Sequence, residues 1–141
     1  MESPKQSTVL SQDDRERLLQ AASEVAVRAY APYSGIHVGA AVLTGCGEVY
    51  QGCNVENASY GLTICAERAA IFNAVSGEGG DALEVRAIAV VTSDQMPISP
   101  CGACRQVIAE FGPDVIVVYR ASDGIRSTTI SELLPDAFQL D

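Results

Sequence analysis

The sequence predicts an α/β fold in which helices cover both faces of one mixed β-sheet. Two observations lead to this fold class. After an initial helix and a pair of strands joined by a short glycine turn, helical and strand-like segments alternate along the chain. Two later strands are continuous apolar runs, which is typical of strands buried on both faces. With 141 residues, the chain fits a single domain.

The first helix is predicted over Ser11–Tyr30. Ser11 can cap it, Asp13 and Asp14 suit its first turn, and its apolar stripe stops before Pro32. Residues 1–10 mix charged side chains with Ser, Thr and Pro and contain no apolar stretch. We expect a disordered tail there, not a signal peptide, and a single domain over residues 11–141.

The remaining elements follow from apolar runs and from glycine and proline breaks. The predicted strands are His37–Thr44, Glu48–Cys53, Arg86–Thr92, Val115–Tyr119 and Arg126–Thr129. The predicted helices are Cys65–Val75, Cys101–Phe111 and a turn at Ser131–Leu134. The glycine-rich link at residues 45–47 predicts a tight hairpin between the first two strands.

The charge balance argues against several classes of partner. Acidic residues outnumber basic ones by 18 to 9, and the basic residues form no cluster, which disfavours a nucleic-acid substrate. No apolar run approaches the ~18 residues that a membrane-spanning helix needs. We therefore expect a cytoplasmic protein that binds neither nucleic acid nor a membrane.

Cysteine opens two of the predicted helices, in Cys65-Ala66-Glu67 and in Pro100-Cys101-Gly102-Ala103-Cys104. A thiol at a helix N-terminus faces free backbone N–H groups, which favour the thiolate. Cys101 and Cys104 lie about one helical turn apart and can hold one ion at about 2.3 Å from each sulfur. Cys65 can supply a third ligand.

Three protein ligands leave one tetrahedral position for water, which is typical of a catalytic zinc site. Zinc lowers the pKa of such a water to near neutrality. Glu67 follows Cys65 by two residues, so it can face this water without binding the metal and can carry its proton to a substrate nitrogen. Arg68 and Arg105 directly follow Glu67 and Cys104 and are candidates for donating to sulfur.

Each of these features has an ordinary alternative. Redox pairs and structural zinc sites also use C-x-x-C, and Cys53 could be a fourth ligand of a closed site without activity. Glu67 could be a solvated helix residue, and His37 a surface or core histidine. Cys46, in the glycine turn, is expected to be an exposed thiol without a role.

The motifs together resemble the small, single-domain cytidine deaminases. The matching segments are Ala31–Ser34, Val38–Ala41, Gly52–Ala58, Cys65–Arg68, Ser99–Gln106 and Glu132–Pro135. They occur in the family's order and spacing over most of the chain. The resemblance implies the three-layer fold of that family and one zinc ion per chain, held by Cys65, Cys101 and Cys104 with Glu67 as the proton carrier. It also implies hydrolytic deamination of cytidine and 2′-deoxycytidine to uridine and 2′-deoxyuridine with release of ammonia, in pyrimidine salvage.

The resemblance assigns further roles around this centre. It implies that Asn54 and Glu56 hydrogen-bond the ribose hydroxyls. The Ala66 amide would hold the pyrimidine carbonyl, and the Ser99 carbonyl would accept a hydrogen bond from the departing amine. The residues that it places around the ligands are Arg68, which would donate to the thiolates, and Gln106.

With a cysteine before Ala66-Glu67, the motif resembles that of the three-cysteine, homotetrameric branch of the family. The resemblance implies that Tyr60 and Phe138 are aromatic residues that reach the sites of neighbouring subunits. One position departs from the pattern, because Ile36 stands where the family usually has a Phe that packs on the base.

Two other functions remain as alternatives. An enzyme of the same fold could act on another aminopyrimidine, such as a nucleoside antibiotic or a base in RNA. Asn54 and Glu56 favour a free ribose, and the acidic composition disfavours RNA. A zinc-binding protein without catalytic activity would have no need of Glu67.

Overall fold

The fold is built on one mixed β-sheet, and the computed structural model describes residues 10–140 of the chain. The strands are β1 (Val38–Thr44), β2 (Val49–Cys53), β3 (Val85–Thr92), β4 (Ile116–Ala121) and β5 (Gly124–Thr129). The helices are α1 (Gln12–Ala26), α2 (Ala66–Glu78), α3 (Gly102–Ala109) and α4 (Ile130–Leu133), with a 3-10 turn at Tyr60–Leu62. The sheet has the order β2-β1-β3-β4-β5.

The strand directions bring two chain segments to the same edge of the sheet. Strand β1 pairs antiparallel with both β2 and β3, so β2 and β3 run in the same direction and end at one edge. Strand β4 is parallel to β3, which requires a crossover, and α3 makes it. Helices α2 and α3 both begin after strands that end at this edge. The predicted hairpin between β1 and β2 is confirmed.

Helices cover both faces of the sheet, as predicted. Alternate residues of β1 point to opposite faces. Ala41 and Leu43 pack with Leu18 and Ala22 of α1. Val38, Ala40 and Val42 join a larger core with residues from α2, α3 and α4.

Two glycines allow the helices to approach the sheet closely. A Cβ at Gly39 would lie 1.9 Å from the carbonyl oxygen of Ala22 in α1, and one at Gly52 would lie 2.2 Å from the backbone nitrogen of Ala70 in α2. Both neighbours are backbone atoms, which cannot move without displacing a helix. These glycines therefore set the spacing between the sheet and the helices on each face.

Two helices are shorter than the sequence predicts. Helix α1 ends at Ala26 and not at Tyr30, because Tyr30 pairs its backbone with the chain beyond β2: it donates to Asn54 O and accepts from Glu56 N. Helix α3 ends at Ala109 and not at Phe111. Conversely, α2 continues past Val75 to Glu78 and stops at Gly79, whose φ is 87°.

The predicted tail, residues 1–10, lies outside the described residues except for Leu10, which packs partly against the core beneath α1. Within residues 10–140, no helix combines the length and the apolar character that crossing a bilayer requires.

Candidate active site

A pocket of about 240 Å³ opens at the edge of the sheet where α2 and α3 begin. It is lined by Ser34, Ile36, Val38, Asn54, Glu56, Thr63, Cys65, Ala66, Glu67, Ile98, Ser99 and Cys101. Most of the predicted site residues therefore come together here. One side of the pocket, formed by Cys65, Glu67, Cys101 and the Cys104 behind them, is called the thiol wall below. Another part of the lining, formed by Ser34, Ile36, Asn54 and Glu56, is called the loop wall.

Three cysteines meet at the helix N-termini. Cys65 is the N-cap of α2, Cys101 is the N-cap of α3, and Cys104 lies in the first turn of α3. Their sulfur atoms all lie within 4.8 Å of one another. Within residues 10–140, they form the one group of three or more Cys, His, Asp or Glu side chains that could hold a metal ion.

The thiol wall carries charge that Arg68 balances. Arg68 Nη2 donates to Cys65 Sγ at 3.2 Å, as predicted, while its buried Nε finds no hydrogen-bond partner among the described residues. The pKa of Cys65 falls to about 5, mainly because the Cys104 thiol donates to it and also because of the Arg68 cation. The pKa of Cys104 is correspondingly raised by its hydrogen bond to Cys65 and by burial. The arrangement of these groups therefore favours a thiolate at Cys65.

This donor set fits zinc and leaves a coordination position open. Thiolates bind zinc at about 2.3 Å, and sulfurs this close can share one ion after small side-chain adjustments. Cys53 is excluded as a fourth ligand by the pleat of β2. Gly52 faces α2, whereas Gln51 donates to Ala21 O of α1, so Cys53 faces α1 with Gln51. The alternative of a closed four-cysteine site involving Cys53 is therefore wrong.

Glu67 lines the pocket beside the three thiols. Only 4% of its surface is exposed, which is rare for a carboxylate without an ionic partner. Burial raises the pKa of this carboxyl above its ordinary value, and the negative charge of Cys65 adds to the increase. A carboxyl whose pKa is raised in this way accepts a proton more readily than a solvated one does.

The loop wall is held by Asn54. This buried amide accepts a hydrogen bond from the Val38 N–H at 2.7 Å and donates one to the Ile36 carbonyl at 2.9 Å. Both partners belong to the segment that leads into β1. Asn54 therefore shapes the pocket as well as facing it.

Glu56 also holds the segment that leads into β1. Its Oε1 accepts from the backbone N–H groups of Tyr33 and Ser34 at 2.9 and 3.1 Å, and its Oε2 accepts from the Ser34 hydroxyl at 2.5 Å. Mainly because of the Ser34 hydroxyl, the pKa of Glu56 lies below its ordinary value. The carboxylate is therefore ionised when it faces the pocket.

Ile36 forms the apolar part of the loop wall, with 55% of its surface exposed. Its N–H donates to Ser34 Oγ at 3.0 Å, and its carbonyl is held by Asn54. Ser34 is thus a pocket residue to which the matching segment Ala31–Ser34 assigned no role. A signal was available, because serine hydroxyls commonly bond a backbone group two residues away.

The predicted intersubunit aromatics lie outside this pocket. Tyr60 is 76% exposed, and its ring meets Tyr33 edge to face with 6.1 Å between centroids. Phe138 is 69% exposed, and its carbonyl accepts from Gln106 Nε2 at 3.0 Å. Gln106 therefore contacts the C-terminal segment, and no hydrogen bond joins its side chain to a thiol within residues 10–140.

The contacts of Arg105 differ from those that the sequence predicts. The sequence makes it a candidate donor to sulfur, but its guanidinium bonds Pro100 O, Leu133 O and Ser99 Oγ. In a helix, the residue after Cys104 points about 100° away from it, which turns Arg105 toward α4. Arg68, which follows Cys65 by three residues, has the spacing that reaches the sulfur.

Comparisons with known proteins agree with this geometry. Residues 12–120 match the family model of the cytidine and deoxycytidylate deaminase zinc-binding region. A cytidine deaminase of Halalkalibacterium halodurans is 51% identical over 127 residues, which cover 89% of this chain and 94% of that protein. A blasticidin-S deaminase of Bacillus cereus is 35% identical over 131 residues, which cover 89% and 92%.

A solved structure supports the same assignment. The crystal structure of cytidine deaminase from Burkholderia pseudomallei matches with a TM-score of 0.78 at 47% identity, and the match covers 92% of this chain and all of that one (100%). The fold, the cluster of three thiols beside a buried glutamate and the family model all coincide. The chain therefore belongs to the cytidine and deoxycytidylate deaminase family.

Proposed function

We propose that this protein hydrolyses the 4-amino group of cytidine and 2′-deoxycytidine and releases ammonia and the uracil nucleoside. The observation that carries the proposal is the pocket itself. Its lining includes two of the three clustered thiols, the buried Glu67 and the hydrogen-bonding side chains of Asn54 and Glu56. Such a pocket suits a small molecule with an aminopyrimidine at one end and a sugar at the other.

Cys65, Cys101 and Cys104 would hold one zinc ion per chain. When bound, zinc acts as a Lewis acid that makes water a nucleophile near neutral pH. Arg68 would offset the negative charge of three thiolates through its hydrogen bond to Cys65.

Glu67 would move the protons of the reaction. Its carboxylate takes a proton from the attacking water and delivers it to N3 of the pyrimidine, and it then assists the departing amine. Burial keeps bulk water from competing for this carboxylate. The N–H of Ala66, in the first turn of α2, has no partner within the helix, and it would bind the pyrimidine carbonyl. The Ser99 carbonyl would accept from the amine.

The hydrogen bonds of the loop wall support recognition of a single sugar hydroxyl. A carboxylate has about four acceptor positions, and Glu56 already uses three. Asn54 Nδ2 has two N–H donors and uses one on Ile36 O. One acceptor and one donor remain, which together satisfy one hydroxyl. Ribose and deoxyribose share the 3′-hydroxyl, so one free donor and one free acceptor favour both nucleosides as substrates.

The charges around the pocket favour a nucleoside over a nucleotide or RNA. The ionisable groups that line it are Glu56, Glu67 and thiols, and no Lys or Arg is among the lining residues within the described chain. A phosphate would meet negative charge there. The relative from Bacillus cereus, named for blasticidin S, makes another aminopyrimidine nucleoside the alternative substrate to test.

The assembly is proposed to be a homotetramer. Tyr60 and Phe138 would complete the pockets of neighbouring subunits, and their exposure in the single chain supports this role. A cytoplasmic location and a part in pyrimidine salvage remain predictions from the sequence.

One assay tests the proposed function. Purified zinc-loaded protein is offered cytidine, 2′-deoxycytidine, cytosine, adenosine, cytidine monophosphate or blasticidin S separately, and deamination is followed by the loss of absorbance. We expect turnover of the first two at comparable kcat/KM and little or none of the rest. Turnover of blasticidin S alone, or of the monophosphate in preference to cytidine, would contradict the proposal.

A further inference from the structure

Arg105 is hydrogen-bonded to the segment Ser99–Cys101, which lines the pocket and carries one of the candidate metal ligands. We propose that Arg105 is a positioning residue: it holds the segment Ser99–Cys101 against α4 and thereby sets where the Ser99 carbonyl and the Cys101 thiol lie. The proposal rests on the proposed function, because it gives Arg105 a part in the same site.

One guanidinium makes three hydrogen bonds to two separate parts of the chain. Arg105 Nε donates to Pro100 O at 2.8 Å and Nη2 donates to Ser99 Oγ at 3.4 Å. Nη1 donates to Leu133 O at 2.9 Å. The donors of a guanidinium are held in one rigid plane, so the segment cannot shift relative to α4 without losing a bond.

The segment is held at both ends. Before it, the Ile98 N–H donates to Arg120 O of β4 at 2.9 Å. After it, the Arg105 N–H donates to Cys101 O at 2.9 Å and begins α3. Pro100 has no N–H to offer, so its carbonyl is the backbone group through which the middle of the segment is held. Arg105 binds that carbonyl.

The other partner of Arg105 is well anchored. Leu133 is the last residue of α4, where carbonyls have no partner within the helix. Its side chain packs against the core on the α2 side of the sheet. Arg105 therefore ties the segment to a part of the molecule that the core holds in place.

Two separate effects should follow when this tie is lost. Cys101 would be less well placed to bind zinc, so zinc should leave faster. The Ser99 carbonyl would be misplaced for the departing amine, a contact that strengthens in the transition state, so kcat should fall more than KM rises. Residues that hydrogen-bond to metal ligands and orient them typically contribute 10- to 100-fold to metal affinity or activity.

The experiment compares Arg105→Gln and Arg105→Lys with Arg15→Gln. Arg15 is a matched control, since Arg15 Nη2 also holds a backbone carbonyl of another element, Ile125 O at 3.3 Å, but on the α1 side of the sheet. For each zinc-loaded protein we would measure the melting temperature, the rate of zinc transfer to a coloured chelator at 25 °C, and kcat and KM for cytidine.

We expect Arg105→Gln to release zinc about 10-fold faster and to lose about 10-fold in kcat, with KM changed by less than about threefold. Arg105→Lys, which keeps the charge and one or two of the bonds, should fall between it and the wild type. Arg15→Gln should lower the melting temperature without changing zinc release or kcat.

The proposal is overturned if folded Arg105→Gln and Arg105→Lys release zinc and turn over cytidine like the wild type, or if Arg15→Gln shows the same losses. Should the glutamine variant fail to fold, the lysine variant decides by the same two measurements. Absence of cytidine turnover in the wild type would reject the proposed function, while the zinc-release rates would still decide the role of Arg105.

Discussion

The two walls of the pocket are built in different ways. The thiol wall is made of two short groups, Cys65 with Glu67 and Cys101 with Cys104, and each group lies at the start of one helix, with Glu67 and Cys104 buried. The loop wall uses Asn54 and Glu56, whose partners lie 16 to 23 residues away and are mostly backbone atoms. The order of chemical groups within each helix start is therefore encoded by local spacing, whereas the shape of the loop wall is encoded by hydrogen bonds between distant segments. Substitutions in the thiol wall should abolish the reaction, and substitutions in the loop wall should change its rate or substrate binding more moderately.

The largest effect is expected from a metal ligand. Cys65→Ser should reduce zinc well below one ion per chain and remove activity, because an alcohol is a much poorer zinc ligand than a thiolate. Cys53→Ser is the matched control and should keep both, since Cys53 faces α1. Zinc analysis of the purified proteins measures this. Equal loss of zinc from the two variants would contradict the assignment of three ligands.

Glu67→Gln should be the next most severe change. The amide keeps the shape of the side chain but cannot carry the proton, so kcat should fall by at least ~10²–10⁴-fold with zinc content and melting temperature nearly unchanged. Glu110→Gln, at the exposed end of α3, controls for loss of an acidic residue. Near-normal turnover by the Glu67 variant would remove this residue from the mechanism.

These two changes concern the part of the site that the sequence predicts well. The sequence predicts Cys65-Ala66-Glu67 and Cys101-x-x-Cys104 at the starts of two helices, and they lie there, because local spacing determines where a helix begins. The strands were predicted from apolar runs for the same kind of local reason. Other features could not be predicted, because each depends on a contact between segments far apart in the chain. They are the end of α1, the partners of Arg105 and Gln106, and the hydrogen bond from Ser34 to Glu56.

Ile36 offers a milder test, on the loop wall. Ile36→Phe supplies a ring face to the base, and stacking of this kind contributes about 0.5–1.5 kcal/mol beyond buried area. We expect KM for cytidine to fall about two- to tenfold with little change in kcat, because the contact is the same in ground and transition states. Ile36→Leu, of equal volume, should leave KM unchanged. An unchanged or higher KM in a well-folded phenylalanine variant would exclude a stacking deficit.

The smallest effect concerns the pH dependence of stability. The pKa of Glu56 is lowered mainly by the Ser34 hydroxyl, so this hydrogen bond stabilises the fold above the ordinary glutamate pKa of about 4.3 and is lost as the pH falls through the lowered value. Ser34→Ala should therefore melt at a lower temperature than the wild type at pH 7, and the difference should shrink below about pH 4. Ser76→Ala, an exposed helical position, should give a difference that does not vary with pH. A Ser34→Ala difference that is constant between pH 3 and 7 would argue against the bond to an ionised Glu56.

The close approach of helices to the sheet at Gly39 and Gly52 limits which glycines can be replaced to raise the thermal stability of the protein. Replacing glycine by alanine commonly gains about 0.4–1 kcal/mol by restricting the unfolded chain, where the native backbone allows it. At these two positions the new methyl group would strike helix backbone, and the gain would become a large loss. Gly61 has open space around it, and Gly80 would make only an ordinary contact with Val75, both at backbone angles that alanine accepts. A thermostabilisation programme for this chain should begin at Gly80, which lies after α2 on a surface away from the pocket-lining residues, and leave Gly39 and Gly52 untouched.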